Sequence, residues 1–200
     1  ASPLASAFEI ALGLVVFELG GYAYHRLAHA VPFLWRVHEV HHSAESLDWL
    51  AAFRQHPLEI VLATLMQNAP LVLLGTPLGA HAIVVLLLRV NTVFVHSNVR
   101  VPDGPWSAIL ATPRFHHRHH QRDGAPKNFA TLLPLVDRLF GTFSADRAEA
   151  LGLARPMPTS FVGLLAHPFR SGSRSVGRAA ATSELGAGEF SAVSPSQHSA

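Results

Sequence analysis

The pattern His-x-x-His-His occurs twice in this chain, as His38-Glu39-Val40-His41-His42 and as His116-His117-Arg118-His119-His120. Two further groups accompany it: His25 and His29 in HRLAH, and the lone His96 in VHSNV. On an α-helix, residues at i, i+3 and i+4 share about 100° of one face. One HxxHH group can therefore offer three imidazoles to a common point, and HxxxH can offer two. A fold that uses all nine must bring together segments up to 95 residues apart, from His25 to His120. One metal ion takes about four to six ligands, so nine imidazoles imply two ions. Cysteine is absent, which excludes disulfides, iron–sulfur clusters and thiolate-bound zinc. Nitrogen donors without an acidic cluster suit iron, copper, nickel or zinc and disfavour magnesium and calcium.

The other histidines read differently. His167 and His198 are ordinary surface or satisfied core residues. His117 is out of phase with its three neighbours and points away from the shared face. His81 lies inside an apolar run as a hydrogen-bond donor within the bundle, and His56, in RQHPLE, caps the start of a helix.

Three apolar runs set the frame: Ala7–Tyr24, Leu58–Leu74 and Leu78–Val95. Each has about 17–18 residues, or ~26 Å of helix, the short end of what crosses a hydrocarbon core. Polar residues interrupt all three: Glu9 and Glu18, then Gln67, Asn68 and Pro70, then His81 and Arg89. Buried core helices of a soluble protein are the alternative. Composition favours the bilayer, because 14% of residues are charged against about 25% in soluble domains. Gly75-Thr76-Pro77 joins the second and third runs as a tight turn, so these form a hairpin that leaves one face and returns to it. That face carries Arg26, Arg36, Arg54, Arg100, Arg114, Arg118, Arg122, Lys127 and Arg138, which predicts that it is cytoplasmic. The expected fold is an all-α integral-membrane bundle of about three to four spanning helices, with a cytoplasmic helical cap carrying the histidine clusters. Residues 1–170 form this domain, 144–170 being a loop and short helix on the same side, and 171–200 read as a disordered Ser/Gly/Ala-rich tail. The net charge of +2 gives no footprint for nucleic acid. No signal-peptide pattern stands at Ala1, and with no initiator Met an upstream segment is expected to be missing.

HRLAH, HEVHHS, RQHPLE, HSNVRVP, TPRFHHRHH and NFATLLPLVDRLFGTF together resemble the fatty acid hydroxylase (sterol desaturase) superfamily, from about Phe17 to Phe169. Ala130 stands where that family usually has glycine and Val136 where it usually has tryptophan, departures that bear on packing. The resemblance implies a non-haem di-iron centre that uses O2 to hydroxylate or desaturate a C–H bond of a sterol, fatty acyl chain or related lipid. Its metal ligands are expected to be His25, His29, His38, His41, His42, His96, His116, His119 and His120. Glu39, Asn98, Asp123 and Asn128 are candidates to orient the imidazole N–H groups. A separate electron donor, cytochrome b5-like or ferredoxin-like, is expected as partner.

Two other classes compete. His38-Glu39-His42 satisfies the HExxH pattern of zinc metalloproteases, with Glu39 as general base. That reading leaves most of the histidines unexplained, and the second cluster has no matching glutamate. A non-catalytic protein that stores or moves metal would favour histidines inside the spans, where only His81 lies. Carotenoid hydroxylases are a nearer rival, but they carry a further histidine soon after the position of His96, where this chain reads HSNVRVP.

Overall fold

A computed structural model describes residues 3–102 and 104–170; the tail assigned to 171–200, with His198, lies outside the described residues. Among the described residues seven α-helices run in chain order: α1 (Pro3–Ala30), α2 (Pro32–His42), α3 (Pro57–Leu73), α4 (Leu78–His96), α5 (Pro113–His119), α6 (Pro134–Leu139) and α7 (Phe161–Ala166). Short 3₁₀ turns stand at Trp49–Phe53, Pro105–Ala108 and His167–Phe169. Among the described residues there is no β-strand, only a single antiparallel bridge between Gln121 and Leu151.

Proline sets the breaks between these helices. Val31, before Pro32, is held extended at φ −95°, ψ 119°, which ends α1 and lets Pro32 open α2 in a new direction. His56 caps α3 by accepting the Leu58 N–H, and Thr112 caps α5 by accepting the Phe115 N–H. Gly75, at φ 67°, makes the tight turn from α3 to α4, as expected from Gly75-Thr76-Pro77. The chain thus runs along α1, back along α3 and forward along α4. This brings the end of α1, the start of α3 and the end of α4 to one end of the bundle.

α1 is the central helix, packed against α2, α3 and α4. Its small residues permit this: a Cβ on Gly20 would lie 2.4 Å from the Met66 carbonyl oxygen, and one on Gly13 would lie 2.9 Å from Val84. Phe17, Leu71, Val84 and Leu88 form one buried core. Tyr22, Val95, Ala111, Phe115, Phe129, Ala130 and Val136 form another nearer the histidines, so Ala130 and Val136 do serve packing.

Glu18, Asn91 and His81, polar residues inside the apolar helices, have partners that the sequence did not reveal. Glu18 accepts the N–H groups of Thr131, Leu132 and Leu133, and Asn91 donates to the Thr131 carbonyl. The segment before α6 is thereby pinned alongside α1, 12 residues short of that helix's end at Ala30. His81 Nε2 donates to the Asn68 side-chain Oδ1 across the α3–α4 hairpin at 2.8 Å, the bundle role expected of it.

Among the described residues two helices are long and apolar enough to cross a membrane, α1 over Ser6–Ala30 and α4 over Leu78–His96. Only 28% and 22% of these windows are buried, which sets them apart from the core helices of a soluble protein. α3 is apolar but, bounded by its His56 cap and the Gly75 turn, stops at 17 residues. By length and composition two candidate spans stand among the described residues, against the three or four expected.

Candidate metal centre

Nine imidazoles gather at the end of the bundle where α1, α3 and α4 meet, in two groups. His25 and His29 from the last turns of α1, His38 and His42 from α2, and His119 from α5 form the first. His41 from α2, His96 from the last turn of α4, and His116 and His120 at α5 form the second. Within each group the nearest nitrogens all lie within 4.8 Å of one another. His42 stacks on His120 with ring centroids 4.4 Å apart, so the two groups share a wall.

Each His-x-x-His-His element is divided between the groups instead of pointing three rings at one centre. The reason is angular. From position i, the i+4 side chain sits about 40° to one side and the i+3 side chain about 60° to the other. His41 and His42 therefore diverge by about 100°, as do His119 and His120. α2 gives two rings to the first group and one to the second, while the α5 element does the reverse.

The nitrogen geometry fits a cation in each group. A backbone carbonyl only accepts, so Nδ1 of His25, His41, His96 and His119 donates to the carbonyls of Phe129, Arg54, Thr92 and Lys127 respectively. In an uncharged ring the Nε2 atom then carries a bare lone pair. His41 and His96 nonetheless bring these atoms to 3.1 Å, and His119 Nε2 lies 3.1 Å from His42 and 3.2 Å from His29. The lone pairs of His41 and His96 so placed repel; a shared metal ion makes the contact attractive. Nitrogens about 2.1 Å from one ion and at right angles to each other are about 3.0 Å apart, close to the 3.0–3.2 Å seen here.

Burial keeps the rings ready for ligation. His120 is fully inaccessible, and desolvation with neighbouring imidazoles holds His41, His42, His116, His119 and His120 well below the usual histidine pKa. The aromatic rings of Trp35 and Phe129 wall the first group, at centroid distances of 4.8 Å and 5.3 Å from His29.

The four residues proposed to orient these rings lie elsewhere. Glu39 is fully buried but bonds His167 and Arg155. Asn98 and Asp123 are exposed. Asn128, at φ 58°, bonds the carbonyls of Phe115 and Ser144 and the Ser144 N–H, locking the loop after α5. Among the described residues the side chain that orients a clustered ring is instead Glu59, buried in the first turn of α3 and bonded to His38 Nδ1. Its place in RQHPLE, three residues after the capping His56, was the available signal. Asp137 acts one step further out: it accepts the N–H groups of Phe129 and Ala130 and so fixes the carbonyl that receives His25. His117 faces away and bonds the Ser97 carbonyl, while His56 and His167 are bonded core residues, as the sequence suggested.

The profile of the family described as fatty acid hydroxylase matches residues 10–142. The chain is 34% identical over 176 residues to an ornithine lipid hydroxylase, OlsE, of Rhizobium tropici, covering 85% of this chain and 53% of that protein. It is 34% identical over 145 residues to human alkylglycerol monooxygenase, covering 71% of this chain and 32% of the human protein. A fatty acid hydroxylase of Lecanicillium, vlmA, is 28% identical over 161 residues. The chain thus spans about half the length of the first relative and a third of the second. No solved structure gives a significant match.

Proposed function

Since this chain belongs to the fatty acid hydroxylase family, we propose that it is the di-iron region of an O2-dependent membrane lipid hydroxylase. The observation that carries the proposal is the division of nine imidazoles into two adjoining nitrogen groups at one end of an apolar bundle. We assign His25, His29, His38, His42 and His119 to one iron, and His41, His96, His116 and His120 to the other. Glu59 and the carbonyls of Arg54, Thr92, Lys127 and Phe129 set the tautomers that aim the rings inward. Bound there, the two irons would supply what no side chain can, activation of O2 for attack on an unactivated C–H bond, with electrons from a separate donor protein. The protein's own part is to hold both ions with nitrogen alone, to screen them from water with Trp35 and Phe129, and to present them to the bilayer. A lipid chain entering between the helices would place its reacting carbon beneath the two groups. Relatives named for hydroxylation of an ornithine lipid and monooxygenation of alkylglycerol support a lipid substrate and favour hydroxylation over desaturation. The arginines at the histidine end, against none in the Gly75–Pro77 turn, support a cytoplasmic site.

The metalloprotease alternative requires Glu39 as a base beside a zinc held by His38 and His42. Both carboxylate oxygens of Glu39 are engaged, with His167 and Arg155, and His38 and His42 share their group with three other imidazoles. Metal analysis of detergent-purified protein separates the readings. Near two irons per chain, falling in His119→Ala and in His41→Ala, supports the hydroxylase. One zinc per chain, retained in both variants, would sink it.

A further inference from the structure

Residues 143–170 lie beyond the stretch that matches the family profile, yet they close on α2, the helix that supplies ligands to both nitrogen groups. The contact centres on Glu39, whose side chain has no exposure. One of its carboxylate oxygens accepts from His167 Nε2 and the other pairs with the Arg155 guanidinium. Around this pair the Arg36 guanidinium donates to the Arg170 carbonyl, His56 donates to the Leu165 carbonyl at 3.0 Å, and Phe33 packs on Phe169. A buried carboxylate is costly unless paired and hydrogen-bonded, so this one holds only while the 155–167 segment is docked.

We propose that Glu39, His167 and Arg155 form a clamp that fixes the rotation of α2, making Glu39 a positioning residue for the metal centre. The inference rests on the di-metal reading. Glu39 lies about 100° around the helix from His38, at the flank of the arc that holds His38, His41 and His42. A contact on the flank controls rotation, where one on the opposite face would control only distance. The side chains end about 5–6 Å from the axis, so a 20° rotation moves them about 2 Å. Metal–ligand distances tolerate about 0.2 Å, so without the clamp α2 could not serve both groups at once. Glu39 is thus the reason that the 143–170 segment belongs to the site.

The test uses Glu39→Gln, His167→Leu, and His167→Gln, whose amide can still donate to Glu39. Each is purified as the full chain in detergent, with helical content checked by circular dichroism. Two quantities are read: the rate at which bound iron passes to a chelator, and amide hydrogen exchange of residues 32–42 in metal-free protein. Iron release 10–100-fold faster in Glu39→Gln and His167→Leu, with faster exchange in α2 and near wild-type behaviour in His167→Gln, is the expected result. If His167→Leu does not fold, Arg155→Met, at a partly exposed position, carries the test with the same expectation. Wild-type iron retention and exchange in His167→Leu or Arg155→Met overturns the clamp. So does a Glu39→Gln protein that keeps both metals and its α2 protection while losing activity, since Glu39 would then act in the chemistry. A wild-type chain that holds no metal overturns the di-metal reading instead, and the exchange arm on metal-free protein still decides the clamp.

Discussion

His41 and His96 each donate Nδ1–H to a backbone carbonyl and face each other through Nε2 at 3.1 Å, a contact that makes sense only around a cation. Because His41 and His119 serve different groups, each replaced by alanine should lower metal content from near two ions per chain toward one, as read by mass spectrometry. The double variant should approach zero. Glu59 differs in kind, since it touches a ring and not the ion. Glu59→Gln should leave two ions bound at saturation but weaken one, by about 10–100-fold in competition with a chelator. Equal weakening at both groups would show that Glu59 supports the fold more than His38. The histidines themselves were legible because HxxHH and HxxxH carry their own geometry. Their allotment was not, because it depends on how α2 and α5 face each other, which no local spacing encodes. The orienting groups were hidden for a plainer reason: four are backbone carbonyls, which have no residue signature. Glu39 drew attention through HExxH, but its partners lie 116 and 128 residues away.

At the scale of elements, the close approach of α1 to α3 decides whether the histidines of α1 reach the others at all. Gly20 meets the Met66 backbone, which cannot rotate out of the way, whereas a Cβ on Gly79 of α4 would meet nothing within 4 Å. Gly20→Ala should therefore force the helices apart and destabilise the protein by about 1–3 kcal/mol. Gly79→Ala should be neutral or stabilising by up to about 1 kcal/mol through helix propensity. Thermal unfolding in detergent compares them, and equal midpoints would refute the tight α1–α3 contact. The apolar runs gave α3 and α4 to within about a residue, because His56-Pro57 and Gly75-Thr76-Pro77 mark their limits in sequence. α1 ran further than its apolar stretch, to Ala30, because the following His and Arg positions keep helical phase until Pro32 breaks it. The segment pinned by Glu18 and Asn91 was illegible: a glutamate in an apolar helix announces a partner without naming it.

For the whole molecule, the question is how the bundle sits in the bilayer, and the composition provides a clean experiment. The chain has no cysteine, so a single introduced thiol reports its own position and nothing else. Asp123 is exposed at the histidine end, and Thr76 lies in the turn between α3 and α4 at the other. α4 rises for 19 residues, ~28 Å at about 1.5 Å per residue, enough to separate these two points by one hydrocarbon core. If α4 spans, a membrane-impermeant maleimide added to intact bacterial cells expressing the protein should label Thr76→Cys and leave Asp123→Cys unlabelled until the cells are opened. That asymmetry is what the arginine distribution predicts for a cytoplasmic histidine end. The reverse pattern would keep the span but invert the site, placing it away from cytoplasmic electron donors and overturning that part of the functional proposal. Labelling of neither until lysis would mean that α3 and α4 only dip into one leaflet. The length of α1 makes this case separable, because that helix also suits a span. A thiol at exposed Leu4 would then be labelled alone, leaving α1 as the single crossing helix and the α3–α4 hairpin as a wedge beneath the site.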